Sequence, residues 1–282
     1  MVSFSSTSLV GAPAVGALAF NPGFLPQTGP AAALLNFIGS SKATFVLTDR
    51  CNIRCRHCFA PAKIGELDQG ILKRSLDELS GVSDIYFSGG EPFLYGGNAD
   101  AMNSVLHYAA SRASRVHVAT NGSFLPEDEG EAIERLSQLP RNLTIILSTD
   151  LYHAEALAGQ GRSVGDIFNT LKGASEELGL GFRVFSRHPK GSGAAYYDEM
   201  MGSLGIDPSV YAEMKKTRRW QSSSVSRQNA AARLPVEDTS PVRVVDFVRH
   251  SSVLGGLGIF INQKGEVTDN SHAAYMREIP PF

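Results

Sequence analysis

Cys51, Cys55 and Cys58 are the only cysteines in this 282-residue chain, and all three fall within Cys51-Asn52-Ile53-Arg54-Cys55-Arg56-His57-Cys58. Three thiols in one short loop leave none for a disulfide. Iron–sulfur clusters are held by cysteine thiolates, normally four to a cubane. Three thiolates hold three irons and leave the fourth open, free to bind a cofactor or substrate directly. Two plainer readings compete. His57 could complete a Cys3His zinc site, although it adjoins Cys58 and zinc ligands more often come as separated pairs. Free cysteine also packs as a small hydrophobe, but Arg54 and Arg56 between the thiols argue against simple packing.

The loop needs a scaffold, and the chain supplies a rhythm for one. Apolar runs at Thr44–Leu47, Asp84–Phe87, Val116–Ala119, Leu143–Leu147, Phe182–Phe185 and Val242–Val248 read as strands. Helical spacing lies between the first five, over 66–79, 99–112, 126–139 and 165–178. Alternation at roughly thirty residues per pair predicts a parallel α/β sheet with right-handed crossovers. Ligands in such sheets bind beyond the carboxyl ends of the strands. Every unusual cluster sits at such an end: the cysteines after the first strand, Ser88-Gly89-Gly90-Glu91-Pro92 after the second, Thr120-Asn121-Gly122 after the third and Ser148-Thr149-Asp150 after the fourth. The two glycines allow a backbone to approach a ligand closely, and Glu91 offers a carboxylate to an ammonium group. Residues 213–241 read as a helix end and a long polar loop, and 257–268 as a hairpin turning at Asn262–Gly265.

The CxxxCxxC spacing after a first strand, with Gly89-Gly90-Glu91 about thirty residues later, resembles the radical S-adenosylmethionine (radical SAM) superfamily. The resemblance covers residues 43–250. It implies a partial (β/α)6 TIM-like barrel there, after an N-terminal arm and short helix over 1–42 and before a C-terminal hairpin and tail over 251–282. It implies a [4Fe–4S] cluster on Cys51, Cys55 and Cys58, with S-adenosylmethionine chelated by the open iron. Gly89, Gly90 and Glu91 then match the motif that contacts the methionyl amino group. Asn121 and Ser148 match positions near the methionyl or ribose part, and Arg183 on the fifth strand could pair with a carboxylate of cofactor or substrate. His57 stands where the family usually has an aromatic residue beside adenine. A flavodoxin- or ferredoxin-type protein would be the electron donor.

Cysteine content narrows the chemistry further. A SPASM or Twitch extension with auxiliary clusters needs more cysteines, and Asp269-Asn270-Ser271-His272 stands where one would be expected. Thiol-assisted epimerisation and methyl transfer through a methylated cysteine are disfavoured on the same ground. Hydrogen abstraction followed by cross-linking, dehydrogenation, rearrangement or elimination remains. The favoured substrate is a ribosomally made precursor peptide. The alternative is a small molecule or nucleotide, as in viperin-like dehydration, and a non-catalytic metal-binding scaffold is the remote third. Tyr152, His153, Arg187 and His188, after the fourth and fifth strands, are the candidate substrate residues. The formal net charge of -2 gives no general attraction to nucleic acid or membrane surfaces. The small apolar N-terminal stretch lacks the basic start of a signal peptide. Unpaired cysteines fit a reducing, cytoplasmic setting.

Overall fold

The computed structural model describes residues 42–55, 58, 65–79, 82–189, 194–225, 258–261 and 267–268. Strands β1 (Lys42–Val46), β2 (Asp84–Ser88), β3 (Arg115–Thr120), β4 (Leu143–Ser148), β5 (Gly181–Pro189) and β6 (Trp220–Val225) lie side by side in chain order, and every pairing is parallel. β7 (Gly258–Ile261) adds in parallel to the other side of β1, and β8 (Val267–Thr268) pairs antiparallel with β7. The hairpin therefore forms, although its expected turn at 262–265 lies outside the described residues, as do the N-terminal arm, His57 and the strand expected over 242–248.

Helices α1 (Gln69–Glu78), α2 (Ala99–Ala110), α3 (Glu129–Ser137), α4 (Leu151–Ala158), α5 (Val164–Leu178), α6 (Ala194–Ser203) and α7 (Pro208–Lys216) make the crossovers. Successive strand side chains alternate between faces. In β4, Leu143, Ile145 and Leu147 are buried, while Thr144, Ile146 and Ser148 are half-buried on the other face. The buried face packs on the apolar stripes of the helices, such as Met102, Val105 and Leu106 of α2 and Ile167, Phe168 and Leu171 of α5. Side-chain caps start these helices: Asp68, Asn98, Asp128 and Ser163 each accept a backbone N–H of the first turn. Gly179, left-handed at φ 68°, ends α5.

Two local expectations need correction. Residues 213–241 are not simply a helix end and polar loop, because β6 lies within them and pairs with β5 from Val184↔Trp220 to Pro189↔Val225. Trp220 is buried and packs edge-on against Tyr211 of α7, with ring centroids 4.6 Å apart. That anchor and the backbone ladder make a strand of a sequence as polar as Gln221-Ser222-Ser223-Ser224. The helix expected from Glu66 begins later, at Gln69. Glu66 instead bridges back to Thr48, and the Leu67 N–H donates to the Leu47 carbonyl at 2.8 Å.

At the end of the sheet away from the glycine turn, Asp84 collects a polar knot. Its carboxylate accepts both Nε and Nη2 of Arg115 at 2.7 Å, Ser83 Oγ at 2.6 Å and pairs with His117 Nε2 at 2.9 Å. The His117 ring stacks on Tyr86 at 4.2 Å. Burial would raise the Asp84 pKa, but these partners outweigh it and hold the carboxyl well below the usual carboxylate range.

Candidate active site at the carboxyl ends of the strands

The loop after β1 is fastened to the turn after β2 by main-chain bonds. The Leu47 N–H donates to Ser88 O at 2.9 Å, Gly90 to Thr48 O at 2.7 Å and Glu91 to Arg50 O at 2.7 Å. This close approach requires glycine. A Cβ on Gly89, at φ +141°, would stand 2.4 Å from Thr48 O, and one on Gly90 would stand 2.2 Å from Arg50 O. The glycine turn thus fixes the chain immediately before Cys51.

Asn52 holds the loop from the other side. Its Oδ1 accepts from Ser123 Oγ at 2.9 Å and Asn121 Nδ2 at 3.3 Å, and its carbonyl accepts the Gln160 amide. Asn121 Nδ2 also approaches Cys51 Sγ at 3.6 Å. Asn121 is itself placed by Glu91, which is fully buried beneath the turn. Glu91 Oε2 accepts the Asn121 N–H at 2.8 Å, while Oε1 accepts Thr120 Oγ1 at 2.8 Å and the Phe93 N–H at 3.2 Å. One carboxylate therefore latches the end of β2 to the end of β3. Burial works against these donors and raises the Glu91 pKa to about 7.

These elements enclose one pocket of about 780 Å³, open mouth included. Cys51, Cys55 and Cys58 line it, and so do Gly89, Gly90, Asn121, Ser148, His153 and Arg187. Glu91 lies below it rather than in its wall, and neither Arg183 nor Tyr152 is in the lining. Arg183 is half-buried lower on β5, within electrostatic reach of Tyr86 and His117. It shares a face with Phe185 and Arg187, and only those two reach the pocket. Tyr152 is buried in the first turn of α4. The side chain of His188 and all of His57 lie outside the described residues.

The sequence reading missed the weight carried by Asp150. It is fully buried at the end of β4 and caps α4, with Oδ1 accepting the N–H groups of Tyr152 at 3.1 Å and His153 at 3.0 Å. The same oxygen meets His153 Nδ1 at 2.9 Å, and Oδ2 accepts the Arg187 N–H at 3.2 Å. An aspartate ahead of a short helical run is an N-cap signal, and it was available in Asp150-Leu151-Tyr152-His153.

The donor set suits a cluster. Burial pushes the Cys51 thiol up to about 12, with Glu91 and the other two cysteines adding to the shift against a backbone hydrogen bond at Ile53. Such a thiol gives up its proton to a bound cation, since metal ligation requires the thiolate. Among the described residues, no group of three or more His, Cys, Asp or Glu side chains is gathered as it would be around a single ion. A cubane places a different iron on each thiolate, so its ligands need not converge on one point.

A parallel barrel-type sheet whose strand-end pocket is rimmed by three thiols and floored by a glycine turn defines a cluster-dependent α/β barrel protein. The family model described as Radical SAM superfamily matches residues 45–179, just under half of the chain, and that stretch is a radical SAM domain. The cofactors of the superfamily are a [4Fe–4S] cluster and S-adenosylmethionine, and its members are enzymes. AlbA of Bacillus subtilis, an antilisterial bacteriocin subtilosin biosynthesis protein, is 30% identical over 151 residues, or 52% of this chain and 30% of AlbA. The Fe-coproporphyrin III synthase of Methanosarcina barkeri is 30% identical over 111 residues, or 36% of this chain and 27% of the synthase. The chain thus spans less than a third of either curated relative. Streptococcus suis SuiB bound to its precursor peptide SuiA superposes with a TM-score of 0.53 at 14% identity, over 89% of this chain and 64% of SuiB. That likeness establishes the partial-barrel fold. Among the described residues, no helix is long and apolar enough to cross a membrane.

Proposed function

We propose that the chain is a single-cluster radical SAM enzyme that tailors a ribosomally made peptide. The observation that carries the reading is the convergence of Cys51, Cys55, Cys58, Gly89, Gly90, Asn121 and Ser148 on one strand-end pocket. When bound, a cluster reduced by an external donor would pass one electron to S-adenosylmethionine, whose cleavage to methionine would supply a 5′-deoxyadenosyl radical able to abstract a substrate hydrogen. The three thiolates hold the cluster, and the 282 residues contain no cysteine besides these. Gly89 and Gly90 let the methionyl end of the cofactor lie against main chain, while Glu91 holds Asn121 toward it from beneath. Ser148, in the same lining, would lie near the methionyl or ribose part. A flavodoxin- or ferredoxin-type protein in a reducing cytoplasm delivers the electron.

The peptide substrate is favoured by the bacteriocin-biosynthesis relative, whose match covers about half of this chain. The porphyrin-synthase relative supports a small-molecule substrate as the second reading. Incubation of the reconstituted enzyme, reductant and S-adenosylmethionine with any short peptide found encoded beside its gene, and in parallel with a small-molecule extract, decides between them. The reading predicts a peptide mass change that requires all three components. An unmodified peptide, alongside 5′-deoxyadenosine formation that only a small-molecule extract accelerates, would favour the second.

A further inference from the structure

The Asn121 side chain has every polar atom committed, and one commitment is to a thiol. Asn121 is buried just beyond β3, where its main-chain N–H donates to Glu91 Oε2 at 2.8 Å. Its Oδ1 accepts the Ser123 N–H at 2.8 Å. A main-chain N–H can only donate, so this bond settles which end of the amide is oxygen. Nδ2 therefore turns toward the cysteine loop, where its two N–H bonds find two acceptors. Asn52 Oδ1 stands 3.3 Å away and Cys51 Sγ 3.6 Å away. Asn52 Oδ1 is held in turn by Ser123 Oγ at 2.9 Å. With both N–H bonds taken, Oδ1 is the one atom of this amide left to meet S-adenosylmethionine. An amide does not titrate in this range, so the donor to Cys51 does not depend on pH.

We propose that the Asn121 amide donates to the cluster sulfur of Cys51 and makes the cluster easier to reduce. The inference rests on the cluster assignment made above. Reduction adds negative charge to a cluster and its sulfurs. A donor aimed at one of those sulfurs stabilises the reduced form more than the oxidised form. The donor is also held in place beforehand. Glu91, from the end of β2, fixes the Asn121 main chain, and Ser123 fixes the plane of its amide. A buried amide held at both ends needs no reorganisation when charge arrives on the sulfur, which is the condition for strong electrostatic stabilisation. The effect matters because the fraction of reduced cluster limits electron transfer to a bound S-adenosylmethionine.

The test is a reductive titration of the reconstituted protein, followed by electron paramagnetic resonance (EPR) without S-adenosylmethionine or substrate. Asn121→Leu keeps the shape of the side chain and removes the donor. It is expected to lower the reduced-to-oxidised ratio at fixed potential about tenfold, equivalent to about 59 mV for a one-electron couple. Asn52→Ala removes the loop's other contact with the same amide and leaves the donor to Cys51, so its midpoint is expected to match wild type. An Asn121→Leu cluster with the wild-type midpoint overturns the proposal. An equal shift in both variants also overturns it, since loop placement alone would then explain the effect. Should Asn121→Leu fail to hold iron, pulsed EPR on protein carrying ¹⁵N in its asparagine side-chain amides decides without that variant. A weak nitrogen coupling in wild type that persists in Asn52→Ala supports the proposal. No coupling in wild type, or a coupling lost in Asn52→Ala, overturns it. A wild-type protein with no [4Fe–4S] signal would defeat the cluster assignment itself, a distinct result.

Discussion

Replacing Gly90 with alanine adds one methyl group and tests how the cysteine loop is placed. That methyl would stand 2.2 Å from Arg50 O, 2.7 Å from Arg50 C and 2.8 Å from Asp49 O. All three are main-chain atoms, so no side chain can swing aside. The loop must move, and the 2.7 Å bonds from Gly90 to Thr48 and from Glu91 to Arg50 must lengthen as it does. Crowding of this kind costs about 1–3 kcal/mol, and each weakened hydrogen bond adds about 0.5–1.5 kcal/mol. At about 2–4 °C per kcal/mol for a chain of this size, the iron-free protein should melt roughly 4–24 °C lower. Because Arg50 immediately precedes Cys51, iron uptake on anaerobic reconstitution should fall with it. Gly173→Ala is the matched control. It lies inside α5 with nothing within 4 Å of the added carbon, so alanine should raise stability by about 0.5–1 kcal/mol through backbone entropy alone. Calorimetry and iron analysis on the three proteins read both effects. A Gly90→Ala variant with wild-type melting and iron content would refute the reasoning. A destabilised variant that still takes up full iron would refute the claim that this turn positions the cysteines.

Two further predictions concern buried carboxylates. Glu91→Gln sets an amide N–H₂ against donors from Asn121, Thr120 or Phe93, and at pH 5 should cost about 1–3 kcal/mol in denaturant titration. The raised pKa of Glu91, about 7, means that its contribution is present at low pH and lost as pH rises through that value. The gap to the variant should therefore narrow between pH 5 and 8; a constant gap would contradict burial of a titrating carboxyl. Asp84→Asn should destabilise the iron-free protein at pH 7 by leaving Arg115 and His117 poorly paired. Its folded pKa is lowered, so that difference should persist from neutral pH down to about 4 and close below it. Melting curves for the pair across this range check the direction.

Much of the framework was legible in the residues. The five apolar runs from Thr44 to Phe185 became β1 to β5 because alternate side chains on each had helices to pack against, and the alternation is visible in sequence. The strand-end clusters assembled as expected, since parallel topology brings all carboxyl ends to one edge. β6 was hidden because only Trp220 and Val225 in it are apolar, and pairing to β5 supplies what patterning does not. Arg183 shows another limit. Period-two spacing puts it on the face of Phe185 and Arg187, but sequence does not say which rung reaches the pocket. Glu91 and Asp150 were noticed as parts of motifs, yet their work as latches depends on donors from β3, α4 and β5 that are distant in the chain.

The most direct measurement of the central claim is anaerobic reconstitution of the wild-type protein with iron and sulfide, followed by reduction and addition of S-adenosylmethionine. The account predicts a cluster of four irons per chain, a charge-transfer absorption and 5′-deoxyadenosine in the products, all lost on Cys55→Ala. A wild-type protein that takes up no cluster and yields no 5′-deoxyadenosine, or a Cys55→Ala variant that retains both, would contradict it.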